Sequence, residues 1–127
     1  GWLLRTETCD EHLSVTPAGG WRRWERRPGF DQQPIEVAAL ADACARAFRV
    51  TGASEWSRGI DLAVAWFLGQ NDGSIAMLDS ETGAGFDGLR AVGRNENQGA
   101  ESTLAMLSTM QHARAKATSP PFAPTAP

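Results

Sequence analysis

Three carboxylates and a set of planar amides occur together in this chain at positions suited to handling a glycoside. Asp31 stands in Phe30-Asp31-Gln32-Gln33-Pro34, Asp87 in Phe86-Asp87-Gly88, and Glu101 at the end of Asn95-Glu96-Asn97-Gln98-Gly99-Ala100-Glu101. Amides and carboxylates bracket sugar hydroxyls, and an aromatic face covers the apolar side of the ring. Glycoside hydrolysis needs two carboxyl groups, roughly 5 Å apart for retention and about 6.5–9.5 Å apart for inversion. The candidate acid–base residues are therefore Asp31, Asp87 and Glu101. Gln32, Gln33, Phe86, Asn95, Asn97 and Gln98 are the candidate substrate-binding residues. A structural alternative stands beside each carboxylate: Asp31 and Glu101 as helix caps, Asp87 in an Asx turn before Gly88. Glu36 fits a first-turn dipole role and Asp79 a loop turn, so both rank lower.

Those residues need helices behind them. Pro34 suits a first helical position, and the alanine-rich run after it predicts a helix over 34–49 that ends near Gly52 and is mostly enclosed by neighbours. Ser54 reads as the next N-cap. Trp56, Ile60, Ala63, Val64, Phe67 and Leu68 then recur at helical spacing, closed by Gly69. From Gln70 to Gly93 the chain is long, glycine-rich and aperiodic, as in a lid or binding edge. A third helix should start near Asn97 or Gln98 and reach Ala115, with apolar packing positions from Leu104 and Leu107. Ahead of all this, Leu13–Thr16 and Trp21–Trp24 around Pro17-Ala18-Gly19-Gly20 predict a small β-hairpin. The short link at 50–53 favours an antiparallel helical pair. If the third helix starts at the same end as the first, the Asp31 and Glu101 regions share one polar mouth. The fold expected is mainly α: a partial α/α toroid of about three main helices, with a small N-terminal β-hairpin and a long Gly-rich loop. Residues 1–116 form that unit, and the Pro-rich stretch 117–127 has the composition of a disordered tail.

The bulk numbers exclude several classes. With 12 basic and 15 acidic residues and a formal charge of −3, the chain has no electrostatic footprint for nucleic acid. The basic run Arg22, Arg23, Arg26, Arg27 is broken by Trp24 and Glu25 and reads as a solvated edge. Cys9 and Cys44 have no metal-ligand spacing, and Cys44 reads as a small buried hydrophobe. His12 follows Asp10 and Glu11 without the spacing of a ligand set. No metal or cofactor is expected. No apolar run approaches the length of a membrane span, and a cytoplasmic setting is expected.

Three motifs in order resemble a known family: Phe-Asp-Gln-Gln-Pro-Ile-Glu at 30–36, Asp-Ser-Glu-Thr-Gly-Ala-Gly-Phe-Asp-Gly-Leu at 79–89, and Asn-Glu-Asn-Gln-Gly-Ala-Glu-Ser-Thr-Leu at 95–104. Together they are similar to the C-terminal helical region of many bacterial glycosyltransferase proteins, part of an (α/α)6 toroid of the six-hairpin glycosidase kind. The resemblance runs from about His12 to Arg114. Family members more often carry a second glycine or a cysteine near Ala84 and an aliphatic or basic residue near Glu96. The resemblance implies a carbohydrate-related role, a sugar-containing ligand, and a chain that is the terminal part of a larger protein. Any nucleotide-sugar transferase chemistry would sit in a separate α/β domain, because these residues contain no glycine-rich βαβ unit. Two alternatives remain: part of a six-hairpin glycoside hydrolase or sugar epimerase using the three carboxylates, and a structural or protein-interaction module.

Overall fold

A computed structural model describes residues 1–118. The chain is mainly helical, with two small antiparallel strand pairs. In order come α1 (Trp2–Thr6), β1 (Thr8–Cys9), β2 (His12–Leu13), α2 (Pro34–Thr51), α3 (Ser54–Phe67), β3 (Gly88–Leu89), β4 (Arg94–Asn95) and α4 (Ala100–Thr118). Residues 117 and 118 of the expected tail belong to α4, and the rest of that stretch lies outside the described residues.

α2 starts where proline dictates, with Gln33 as an extended N-cap, and stops at Gly52. There φ is 66°, a left-handed value that glycine adopts without a Cβ clash, and its N–H closes on the Phe48 carbonyl at 2.8 Å. Ala53, not Ser54, occupies the N-cap position of α3, so Ser54 is helical. The two-residue link folds α3 back along α2. Their close approach centres on Gly59, where an added Cβ would lie 2.5 Å from Cys44 Sγ. A larger residue there must push aside the Cys44 thiol and Leu4 or part the helices. α4 then runs in the same direction as α2: His112 meets Asp42 at 3.4 Å, while Lys116, near the end of α4, pairs with Asp61 in the middle of α3 and reaches the Ser57 carbonyl in its first turn.

The core is one cluster drawn from every layer, including Leu13, Val37, Cys44, Ile60, Trp66, Phe67, Met77, Leu89 and Met106. Trp66 and Phe67 meet edge to face with ring centroids 5.1 Å apart. Cys44 is buried as expected, and burial pushes its thiol pKa up.

Three expectations need correction. The hairpin over 13–16 and 21–24 does not form; the N-terminal strand pair lies earlier, with Thr8 opposite Leu13 and Cys9 opposite His12. The buried Glu7 carboxylate accepts the Thr16 N–H at 2.5 Å and its hydroxyl at 2.6 Å, so Thr16 is taken before a partner strand could reach it. Second, α4 does not pack through its leucines: Leu104 is 65 % and Leu107 45 % exposed, whereas Ser102, Ala105, Met106 and Thr109 are buried. Small residues there let the backbone of α4 come close, and the Thr109 hydroxyl is satisfied by the Ala105 carbonyl at 2.9 Å. Third, α2 is open on one side, with Ile35, Ala39, Ala43 and Val50 exposed.

Candidate functional site

The starts of α2 and α4 arrive at one end of the molecule, and β3 ties them together. Gln32 and Leu89 exchange both backbone hydrogen bonds at 2.9 Å, which fixes the entry to α2 against β3. β3 pairs in turn with β4, placing Gly88 opposite Asn95 and Leu89 opposite Arg94. One residue before β3, the Asp87 N–H donates to the Asn97 carbonyl at 2.9 Å. The Asp31 and Glu101 regions thus flank one small β-structured seam.

The nine residues expected at the site divide by how much of each remains free. Gln32 is fully buried. Its Oε1 accepts the Trp66 indole N–H at 3.1 Å, and its Nε2 donates to the Gly29 carbonyl at 2.8 Å and to Asp72 Oδ2 at 2.5 Å. That amide holds the core and has no edge left for a ligand. Asp87 accepts from the Ser102 side chain, from Asn97 Nδ2 and from the Gly99 N–H at 2.8 Å. These bonds, Ser102 first, outweigh partial burial and hold the carboxyl below its usual range. Asp87 therefore closes the start of α4 instead of making an Asx turn at Gly88. An acid that protonates a leaving group needs a raised pKa, which this environment opposes.

Asn95 Oδ1 accepts the Asn97 N–H at 3.1 Å, and Gln98 Nε2 donates to Asp79 Oδ2 at 2.8 Å. Phe86 is buried beneath Arg94, whose guanidinium carbon sits 3.5 Å from the ring centroid. Gln33 is half-buried and lies against Gly88. Asp31 and Glu101 are exposed, and neither side chain makes a hydrogen bond or ion pair with any described residue. They are free carboxylates at this end, as are Glu36 in the first turn of α2 and Glu81 in the loop before β3.

Beside the seam opens a polar cleft of about 460 Å³ whose lining includes Asp79, Glu81, Phe86, Arg94, Glu96 and Gln98. Arg94 organises it, bonding Glu96 Oε1 at 3.1 Å and reaching the Ala76 carbonyl. Asp79 accepts from Gln98, from the Glu81 N–H at 2.9 Å and from Thr82, and is pulled down to about 2. Of the nine expected residues, Phe86 and Gln98 line this cleft.

Two features were not legible as part of this end. Arg94 opens the polar stretch in sequence, but nothing in its spacing marks it as the residue that covers Phe86. Asn71-Asp72-Gly73 falls within the aperiodic stretch that begins at Gln70, yet Asp72 is a hub: it meets His12 Nε2 and accepts the Ser14 hydroxyl, each at 2.6 Å, besides the Gln32 amide. Burial pushes the Asp72 carboxyl up, but the bonds from Ser14, His12 and Gln32 together pull it further down, and the net shift is downward. His12, 60 residues away in sequence, is the partner that its acidic neighbours Asp10 and Glu11 concealed. Among the described residues no three His, Cys, Asp or Glu side chains are grouped to hold a metal ion. None of the helices there is long and apolar enough to cross a membrane.

No protein-family model matches the chain, and no curated protein matches it.

Proposed function

We propose that this chain is a carbohydrate-related module: the C-terminal helical region of a bacterial glycosyltransferase-type protein, contributing a polar sugar-binding or accessory face at the end where α2 and α4 begin. On this reading α2, α3 and α4 are part of an α/α toroid, the segment between α3 and α4 is its glycine-rich edge, and the remainder of a larger chain carries any transferase chemistry. The observation that carries the reading is the convergence of the Asp31 and Glu101 segments on β3, both carboxylates without a partner among the described residues, on the seam from which a cleft furnished by Arg94, Asp79 and Gln98 opens. The three motifs that resemble the glycosyltransferase region fall on this same end. The free cysteines Cys9 and Cys44 support a reducing, cytoplasmic setting.

The division of labour follows from the hydrogen bonds. Gln32, Asn97 and Asp87 hold the frame, while Asp31, Gln33, Glu101 and the cleft residues face the ligand. Calorimetric titration of neutral and amino-sugar oligosaccharides into the protein tests this. Asp31→Ala and Glu101→Ala should each weaken sugar binding by about tenfold, the worth of one charged hydrogen bond, with unfolding temperature unchanged. Absence of binding across the panel, or binding indifferent to both substitutions, would overturn it.

A further inference from the structure

At the opposite extremity of the sequence, α1 and the turn at 21–25 meet around a second concavity, of about 550 Å³, lined by Trp2, Thr6, Trp21, Arg22, Arg23 and Trp24. Its rim is unusually apolar for exposed surface: Trp24 is 88 % and Trp2 72 % accessible. The turn beneath is firmly built. The Glu25 N–H donates to the Arg22 carbonyl at 3.1 Å, the Arg22 N–H to the Glu25 carboxylate at 2.9 Å, and the Trp21 indole N–H to the Glu25 carbonyl at 3.0 Å. Arg27 bolts it down from behind, donating to the carbonyls of Ser14 and Thr6 with its guanidinium 4.8 Å from the Trp21 ring.

The charges there are unspent. No described carboxylate forms an ion pair with Arg22, Arg23 or Arg26; Arg5, Arg49, Arg90 and Arg114 also form none, and what sets the 22–27 run apart is its clustering beside exposed indoles. Arg23 rests 4.6 Å from the Trp24 ring centroid, and the one acid within residues 22–27, Glu25, is engaged by the turn backbone. A chain of net charge −3 thus carries four arginines against one glutamate over residues 22–27.

We propose that this corner docks onto an anionic phospholipid surface. Indoles partition to the headgroup level, with their apolar body toward the acyl boundary and their N–H toward water, and guanidinium groups bind the phosphates at the same depth. Neither term alone holds a protein on a bilayer, but an apolar anchor combined with a basic patch does. A soluble polyanion would reward the arginines and leave Trp2 and Trp24 in water. A neutral partner surface would leave the arginines unmatched. The bilayer satisfies both sets from one side.

Co-sedimentation of the full chain with phosphatidylglycerol/phosphatidylcholine vesicles, read alongside tryptophan emission, tests the proposal. Binding with a blue shift is expected on the anionic vesicles, and neither on pure phosphatidylcholine. Replacing Arg22 and Arg23 together by alanine should weaken binding about thirtyfold, at about fivefold per arginine near an anionic surface. Trp24→Ala should weaken it by about tenfold and remove most of the blue shift. Far-UV circular dichroism and the unfolding midpoint should stay unchanged in both variants. Lack of binding to anionic vesicles, equal binding to neutral ones, or binding undiminished in both variants would overturn the proposal. So would saturable binding of heparin or an acidic peptide in its place.

Discussion

Trp66 in α3 donates its indole N–H to Gln32 at the threshold of α2, 3.1 Å away in the interior and 34 residues apart in sequence. The same amide continues to Asp72, and through it to Ser14 and His12. One buried side chain therefore joins α3, the start of α2, the turn after α3 and the N-terminal strand pair. This places the candidate site on a rigid footing: the entry to α2 cannot shift against α3 or the Asp72 turn without breaking that chain, and the Gln32 backbone bonds to Leu89 fix β3 to it.

Replacing Gln32 by leucine keeps most of the volume but strands the Trp66 indole N–H and takes one bond each from the Gly29 carbonyl and from Asp72 Oδ2, which keeps the Ser14 hydroxyl. A loss of about 1–3 kcal/mol in unfolding free energy is expected for such an unsatisfied buried donor. Urea denaturation followed by tryptophan emission reads it. A variant as stable as the parent would show that water replaces the amide.

The crossing of α2 and α3 is tested by Gly59→Ala, whose new methyl would press on Cys44 Sγ. Overpacking of this kind costs about 1–3 kcal/mol. In a Cys44→Ala background the same substitution should cost clearly less, since the obstructing sulfur is gone, and a double-mutant cycle measures the coupling. Equal costs in both backgrounds would show that the helices do not cross there.

Acid should loosen the N-terminal region through Asp72. Its folded pKa lies below the ordinary carboxylate value of 3.8, so its contribution is fully present above that value and is lost as pH falls through the folded pKa. Asp79 and Asp87 are depressed in the same sense, Asp79 to about 2. Stability should be flat above about pH 5 and fall progressively below the usual carboxylate range. Asp72→Asn should lower stability at neutral pH and flatten that acid limb. An acid limb as steep as the parent's would remove Asp72 from the account.

Asp87 separates framework from chemistry. Asp87→Ala should destabilise the start of α4 by about 1 kcal/mol, as loss of a capping side chain does, and faster amide exchange over residues 99–103 should accompany it. If sugar binding disappears while the exchange rates stay unchanged, Asp87 faces the ligand instead.

The three long helices were legible because each carries a signal of its own: Pro34 and Gly52 bracketing α2, the apolar spacing from Trp56 to Phe67, and the polar entry to α4. The shared end of α2 and α4 was legible from the same pattern. The N-terminal third was not. Five residues of α1 are too few to show a period, and the alternation at Leu13–Thr16 suggested a hairpin that Glu7 pre-empts by binding Thr16. Leu104 and Leu107 misled because large apolar side chains are expected inward, whereas α4 turns Ala105, Met106 and Thr109 to the core. Sequence pattern also cannot tell an amide that faces a ligand from one that closes a framework. Asn97 and Gln32 look as available as Gln33 until their partners are placed.

The most direct test of the sugar-binding end is a heteronuclear NMR titration of isotope-labelled protein with the oligosaccharide panel. The account predicts saturable amide shifts concentrated at residues 31–33, 79–81 and 94–101, with Trp2 and Trp24 undisturbed. No shifts with any sugar, or shifts confined to another face, would contradict it.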